Sequence, residues 1–216
     1  MHWIDPDCLP ETSGVVDRFL INAEGEADGL VLTGGTEVHF PPHMGKAVLD
    51  AVTPGSAVRI RGVQPRGVAM IAAVTVAPEE GPAIVDGGPP KDGEARKAAR
   101  KQAHAARVAM DVEGVLRQVL HGPKGDVRGL LLEDGRAGRF PPHAAEGLAS
   151  ILKPGSHVLL RGKGLTTEHG TVLAVCEIGS SPDHLRRIDA GPAHDKHGKP
   201  PKHDRSEAAR DDAWRV

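Results

Sequence analysis

Residues 29–62 read GLVLTGGTEVHFPPHMGKAVLDAVTPGSAVRIRG, and residues 129–162 read GLLLEDGRAGRFPPHAAEGLASILKPGSHVLLRG. Laid over each other without a gap, at an offset of 100, they agree at 14 of 34 positions. The matches are Gly29, Leu30, Leu32, Gly35, the run Phe40-Pro41-Pro42-His43, Pro54-Gly55-Ser56, Val58 and Arg61-Gly62, with their counterparts. Upstream, SGVVDRFL at 13–20 corresponds to EGVLRQVL at 113–120. Downstream, IAAVTV at 71–76 corresponds to LAVCEI at 173–178 once two residues are inserted before the latter. A unit of roughly 65 residues is too long for a solenoid repeat and the size of a small domain.

Each unit has a readable order of elements. GVVDRFLI and GVLRQVLH, short and rich in β-branched and apolar residues, predict a first strand. Two strands around Gly34-Gly35 or Asp134-Gly135 follow, the signal of a hairpin. Pro41-Pro42 and Pro141-Pro142 end strand pairing, because proline has no N–H to donate and a fixed φ. Apolar residues at Ala47, Val48, Ala51 and Val52, and at Leu148, Ile151 and Leu152, predict a short amphipathic helix in both units. Pro54-Gly55 and Pro154-Gly155 close it, and two more strands complete the unit.

Three strands, a short helix and two strands, with a PGSxVxxRG turn into the fourth strand, resemble the OB-fold, an all-β, five-stranded, partly open barrel. The tandem copies resemble a bacterial family of OB-fold, nucleic-acid-binding-like domain proteins. That resemblance implies an N-terminal tail over 1–12, a first barrel over 13–78, a linker over 79–112, a second barrel over 113–180 and a tail over 181–216. It also implies that the second and third strands and their flanking loops carry any oligonucleotide face.

The linker begins Pro/Gly-rich and continues as EARKAARKQAHAARVAM, residues 94–110, which carries one acid against Arg96, Lys97, Arg100, Lys101 and Arg107. Its good helix formers predict a helix. Two readings stay open for it: a solvated linker, or a phosphate-contacting element that gains affinity by releasing counterions. The first barrel sums to −1 (six acids, five bases) and the second to +1 (seven acids, eight bases), within a whole-chain charge of −2. Arg128, Arg136, Arg139, Arg161 and Lys163 are therefore the candidate nucleic-acid contacts of the second barrel, together with the linker cations. The third strand differs where it matters: His39 in one copy is Arg139 in the other. Alternation puts both on the outer face, where Arg139 would be the natural cation of a groove. Only five aromatic residues occur in the chain, Trp3, Phe19, Phe40, Phe140 and Trp214, so a platform for stacking bases is not evident.

The repeated Phe40-Pro41-Pro42-His43 and Phe140-Pro141-Pro142-His143 are expected to build a strand-to-helix joint. The phenylalanine plugs the barrel end, and the histidine bonds backbone groups of the first helical turn. A metal or ligand role for His43 and His143 is the competing reading, although one repeated histidine per unit falls short of the three or four ligands zinc needs. His194, His197 and His203 lie in a polar tail expected to be disordered, with weak metal binding as the alternative. Arg61 and Arg161 fit an ion pair at a barrel end as well as they fit a phosphate contact. Nucleophile-elbow, P-loop, HExxH and paired-cysteine motifs do not occur, so no enzyme, cofactor or metal site is expected. Cys8 and Cys176 match no zinc or redox spacing. With no secretory leader pattern and no apolar run of membrane length, a cytoplasmic protein with no membrane partner is expected. The leading expectation is weak, largely sequence-independent binding of single-stranded DNA or RNA. A protein-interaction scaffold, and a metal or small-ligand protein using the histidines, are the alternatives.

Overall fold

The computed structural model describes residues 5–89 and 93–188, and of residues 93–96 only the backbone. The first unit contains β1 (Glu11–Ile21), β2 (Ala27–Leu32), β3 (Glu37–His39), helix α1 (Gly45–Ala51), β4 (Ala57–Val63) and β5 (Met70–Pro78). β1 pairs antiparallel with both β2 and β4, β2 pairs with β3, and β4 with β5. A parallel pairing of β3 with β5 closes the barrel. The same circuit recurs in β7 (Val108–His121), β8 (Val127–Leu132), β9 (Ala137–Arg139), β10 (His157–Thr167) and β11 (Gly170–Gly179), again closed by a parallel β9–β11 pairing. The chain is thus mostly β: two closed five-stranded barrels of OB type in tandem.

Repeated residues explain repeated geometry. A β-bulge falls between Arg61 and Gly62 and again between Arg161 and Gly162. A side chain at Gly62 or Gly162 would collide with the carbonyl of Ala72 or Ala174, so the strand can bend there only as glycine. Gly55 and Gly155 adopt positive φ and donate their N–H to the carbonyls of Val16 and Leu116, both at 2.7 Å, which ties each Pro-Gly turn to the first strand. Phe40 and Phe140 are buried in the two barrel cores.

The copies part company after the double proline. The first unit forms α1, but the second has only 3-10 turns at Pro142–Ala144 and Glu146–Leu148, not the expected helix. Gly147 stands where the first copy has Ala47, and glycine in a helix interior costs about 1 kcal/mol relative to alanine. The linker forms the expected helix, α2 (Gly93–Ala106), and has further structure besides: Ile84–Val85 (β6) pairs with β5, and β7 already begins at Val108. Part of the segment expected to be disordered is ordered too: Pro182–His184 makes a turn and Arg186–Arg187 (β12) pairs with β11. His194, His197 and His203 lie outside the described residues. Among the described residues no helix is long and apolar enough to cross a membrane.

Candidate functional site

The barrels meet along their β1–β2–β3 and β7–β8–β9 sides. Leu20, Val31, Leu120, Leu131 and Ala137 form one buried cluster there, and the first four are equivalent pairs at the offset of 100. The contact is thus nearly self-complementary, the pattern of an isologous dimer built within one chain. Around the cluster, Gln118 Nε2 donates to the Gly35 carbonyl at 3.3 Å, and its equivalent Arg18 lies against Gly135, the equivalent glycine. Asp17 and its own equivalent Arg117 face each other at 2.8 Å. Desolvation opposes the ionised Asp17, but hydrogen bonds and charge from Arg18 and Arg117 outweigh it and hold its pKa below the ordinary value.

A polar group is sealed into the same face. Glu37 and His39 are buried, and His39 Nε2 donates to Glu37 Oε2 at 3.0 Å. From the other barrel, the His121 backbone N–H donates to Oε2 at 2.8 Å and its ring Nδ1 to Oε1 at 2.7 Å. Burial pushes the Glu37 carboxyl up, yet these hydrogen bonds prevail and its pKa ends below the ordinary value. Asp28 behaves in the opposite way. Burial dominates and raises its pKa, although Arg139 Nη2 donates to Asp28 Oδ1 at 3.2 Å. His39 and Arg139 are therefore outward on their own barrels but covered by the other one. The strands expected to carry an oligonucleotide face are closed by barrel–barrel packing.

At the edge of this face a cleft of about 440 Å³ stays open. Asp28, the His39–Pro42 joint, Val63 and Ala72–Val74 line it from the first barrel. His121–Pro123, Arg128 and Arg139 line it from the second. Neither the cleft nor the buried Glu37 cluster was evident from the sequence, which offered only the charge differences between copies as a signal.

The structure places the expected cations as follows. Arg100 and Arg107 reach Glu24 of the β1–β2 loop, at 3.3 and 4.0 Å, so α2 is tied to the first barrel. Lys97 and Lys101 of α2 are exposed, as is Lys163 of β10. The side chain of Arg96 lies outside the described residues. Arg128 pairs with Asp126, and Arg136 Nε donates to Asp134 at 2.8 Å, holding that carboxyl down against desolvation. Arg161 pairs with Asp111 at 3.0 Å and with Glu177 at 3.8 Å, and Arg61 pairs likewise with Glu11 at 2.9 Å and Asp7 at 3.1 Å. These residues do not converge on one groove. His43 does not bond the first helical turn but binds the Asp86 carboxylate, at 2.8 Å, clasping the segment that follows β6. Among the described residues no group of three or more histidine, cysteine or acidic side chains could hold a metal ion.

Fold and topology define a tandem OB-barrel protein whose barrels pack face to face. Among solved structures the chain is similar to the wild-type single-stranded DNA binding protein of Thermus aquaticus, at 16% identity over 88% of this chain and 97% of that one, with a TM-score of 0.24. It is similar too to a deletion mutant (delta 228-252, R190A) of that protein, at 16% identity over 85% and 96%, with a TM-score of 0.22. A likeness this loose says nothing about what this chain binds. No protein-family model matches the chain, and no curated protein matches it.

Proposed function

We propose that the protein is a non-enzymatic binding protein for single-stranded nucleic acid, holding the phosphate backbone weakly and with little sequence preference. The observation that supports this is the asymmetry of charge between the copies. Arg128, Arg136 and Lys163 in the second barrel stand where the first has Asp28, Thr36 and Val63. The carboxylate pairings of Arg128 and Arg136 do not remove them from use. The side chains of Arg100, Arg128 and Arg161 are 51%, 46% and 42% exposed, and exposed ion pairs contribute only about 0–1 kcal/mol. A phosphate can take the place of such a carboxylate. Neighbouring acids then lower the net field and keep the affinity low, while the counterions released by each phosphate contact make it salt-dependent.

The test is fluorescence anisotropy of labelled single-stranded DNA and RNA at two salt concentrations. Binding at low salt that fades at high salt is expected. Reversing Arg128, Arg136 and Lys163 to Glu should weaken it for every sequence alike, as should reversing Lys97 and Lys101. No binding at low salt overturns the proposal. The scaffold reading would replace it if a protein partner survives nuclease treatment in a pull-down.

A further inference from the structure

Among the described residues, the cleft between the barrels combines an apolar lining with the half-buried charged pair Asp28 and Arg139. Its apolar wall comprises Phe40, Pro41, Pro42 and Val63, with Pro123 supplied by the opposite barrel. Arg139 lines the cleft as well, and its Nε is buried with no hydrogen-bond partner among the described residues. Arg139 spends one terminal nitrogen on Asp28, which also lines the cleft, so a donor and a carboxyl sit side by side. A buried polar atom left unpaired is costly, so this arrangement points to an acceptor that arrives from outside.

The chemistry of that acceptor is restricted. An aliphatic ligand would leave Arg139 Nε unsatisfied. An inorganic anion would ignore the apolar wall and meet the Asp28 carboxyl. A planar heterocycle with apolar faces and an edge carrying both donor and acceptor atoms answers both demands, and the volume lies within the range of small-molecule sites. Arg128, which lines the cleft and has its side chain 46% exposed, supplies a charge for an attached phosphate. We infer that the inter-barrel cleft is a site for one nucleobase, its edge bonded to Arg139 and Asp28 and its faces held between the proline-rich joint and Val63. The base belongs either to a free nucleotide or to one residue of a single strand. The inference goes beyond the backbone-binding reading and stands without it.

The experiment is an amide-shift titration of the full chain with AMP, GMP, CMP and UMP separately, with a short oligonucleotide, and with inorganic phosphate as control. At least one mononucleotide should shift residues around Val63, His121 and Arg139. Arg139→Ala should weaken that binding about tenfold, the loss of one good hydrogen bond. Because Arg139 also joins the barrels, Val63→Trp is the second variant. Val63 is 53% exposed at the cleft, so the tryptophan obstructs the opening without touching a core, and it should weaken binding at least as much. Shifts confined to phosphate, no mononucleotide response at the cleft, or unchanged binding in Val63→Trp would each overturn the inference. An oligonucleotide that binds while mononucleotides do not leaves only the backbone reading standing. A mononucleotide that binds as tightly as the oligonucleotide leaves only the cleft standing.

Discussion

The two barrels agree where each builds itself and disagree where they face each other. The double proline, the Pro-Gly turn and the Arg-Gly bulge are shared, and each serves its own barrel's closure. Along the contact face the equivalents differ in charge: Asp17 against Arg117, Asp28 against Arg128, Glu37 against Ala137, His39 against Arg139. Two copies of the first barrel packed in this manner would bring Asp17 onto Asp17, and two of the second Arg117 onto Arg117. The divergence turns a self-complementary patch into a pair that prefers its opposite number within the chain. Apolar residues supply the adhesion and charge differences supply the choice.

The largest effects should come from the shared apolar cluster. Leu120 and Leu131 are at most 1% exposed, so Leu120→Ala or Leu131→Ala should each cost about 2–5 kcal/mol. In calorimetry the variants should melt well below the parent, and the single transition of a fused unit should split if the barrels part. A variant that melts with the parent would mean the face contributes little.

Next comes Glu37, whose carboxylate joins His39 of its own barrel to His121 of the other. Glu37→Gln keeps the shape but loses the charge that accepts these bonds, at an expected cost of about 1–3 kcal/mol near neutral pH. The folded-state pKa of Glu37 is depressed, so its contribution is full above the unfolded carboxylate pKa and is lost as pH falls through the lower folded value. The gap between parent and Glu37→Gln should therefore close in acid. Asp28 acts in reverse, since burial raises its pKa and protonation on acidification relieves the folded state. Asp28→Asn should remove that relief, visible as a flatter stability profile in mildly acidic buffer. A gap between parent and Glu37→Gln that widens on acidification would contradict the assignment.

Much of this could be seen in the sequence, and the missing part has a physical reason. Repeat length, hairpin glycines and the joint located both barrels, because those features act within a few residues of themselves. The covered face depends on residues about a hundred positions apart, beyond any local pattern. It left one trace: FLI, LVL and LLL are continuous apolar runs, whereas a strand with one wet face alternates. Leu20, Val31 and Leu131 are the extra apolar positions in those runs, and all three are buried between the barrels. The unformed second helix was hidden for a different reason. Its apolar spacing is sound, but Gly147 weakens the propensity behind it.

A smaller effect probes charge choice directly. Asp17→Arg should set two arginines against each other and cost about 1 kcal/mol, on side chains 25% and 28% exposed. Arg117→Asp should cost a similar amount by opposing two aspartates. The double exchange should recover most of the loss, which a double-mutant cycle by urea denaturation would measure. Additive losses would mean that neither charge senses the other.

The smallest effect on stability bears most on function. Arg61 and Arg161 occupy the same bulge and make the same kind of pairing, with Glu11 in one copy and Asp111 in the other. Removing either as alanine should cost under about 1 kcal/mol, and equally, because both pairs are at the surface. Nucleic-acid binding should separate them. Arg161 belongs to the cationic barrel, so Arg161→Ala should lower affinity for all sequences and reduce the salt slope by about one. Arg61→Ala should leave the slope where it was, because Arg61 belongs to the barrel with the net negative charge. Equal slopes in the two variants would show that the bulge arginine serves barrel closure in both copies, and would move the phosphate path to Arg128, Arg136 and Lys163.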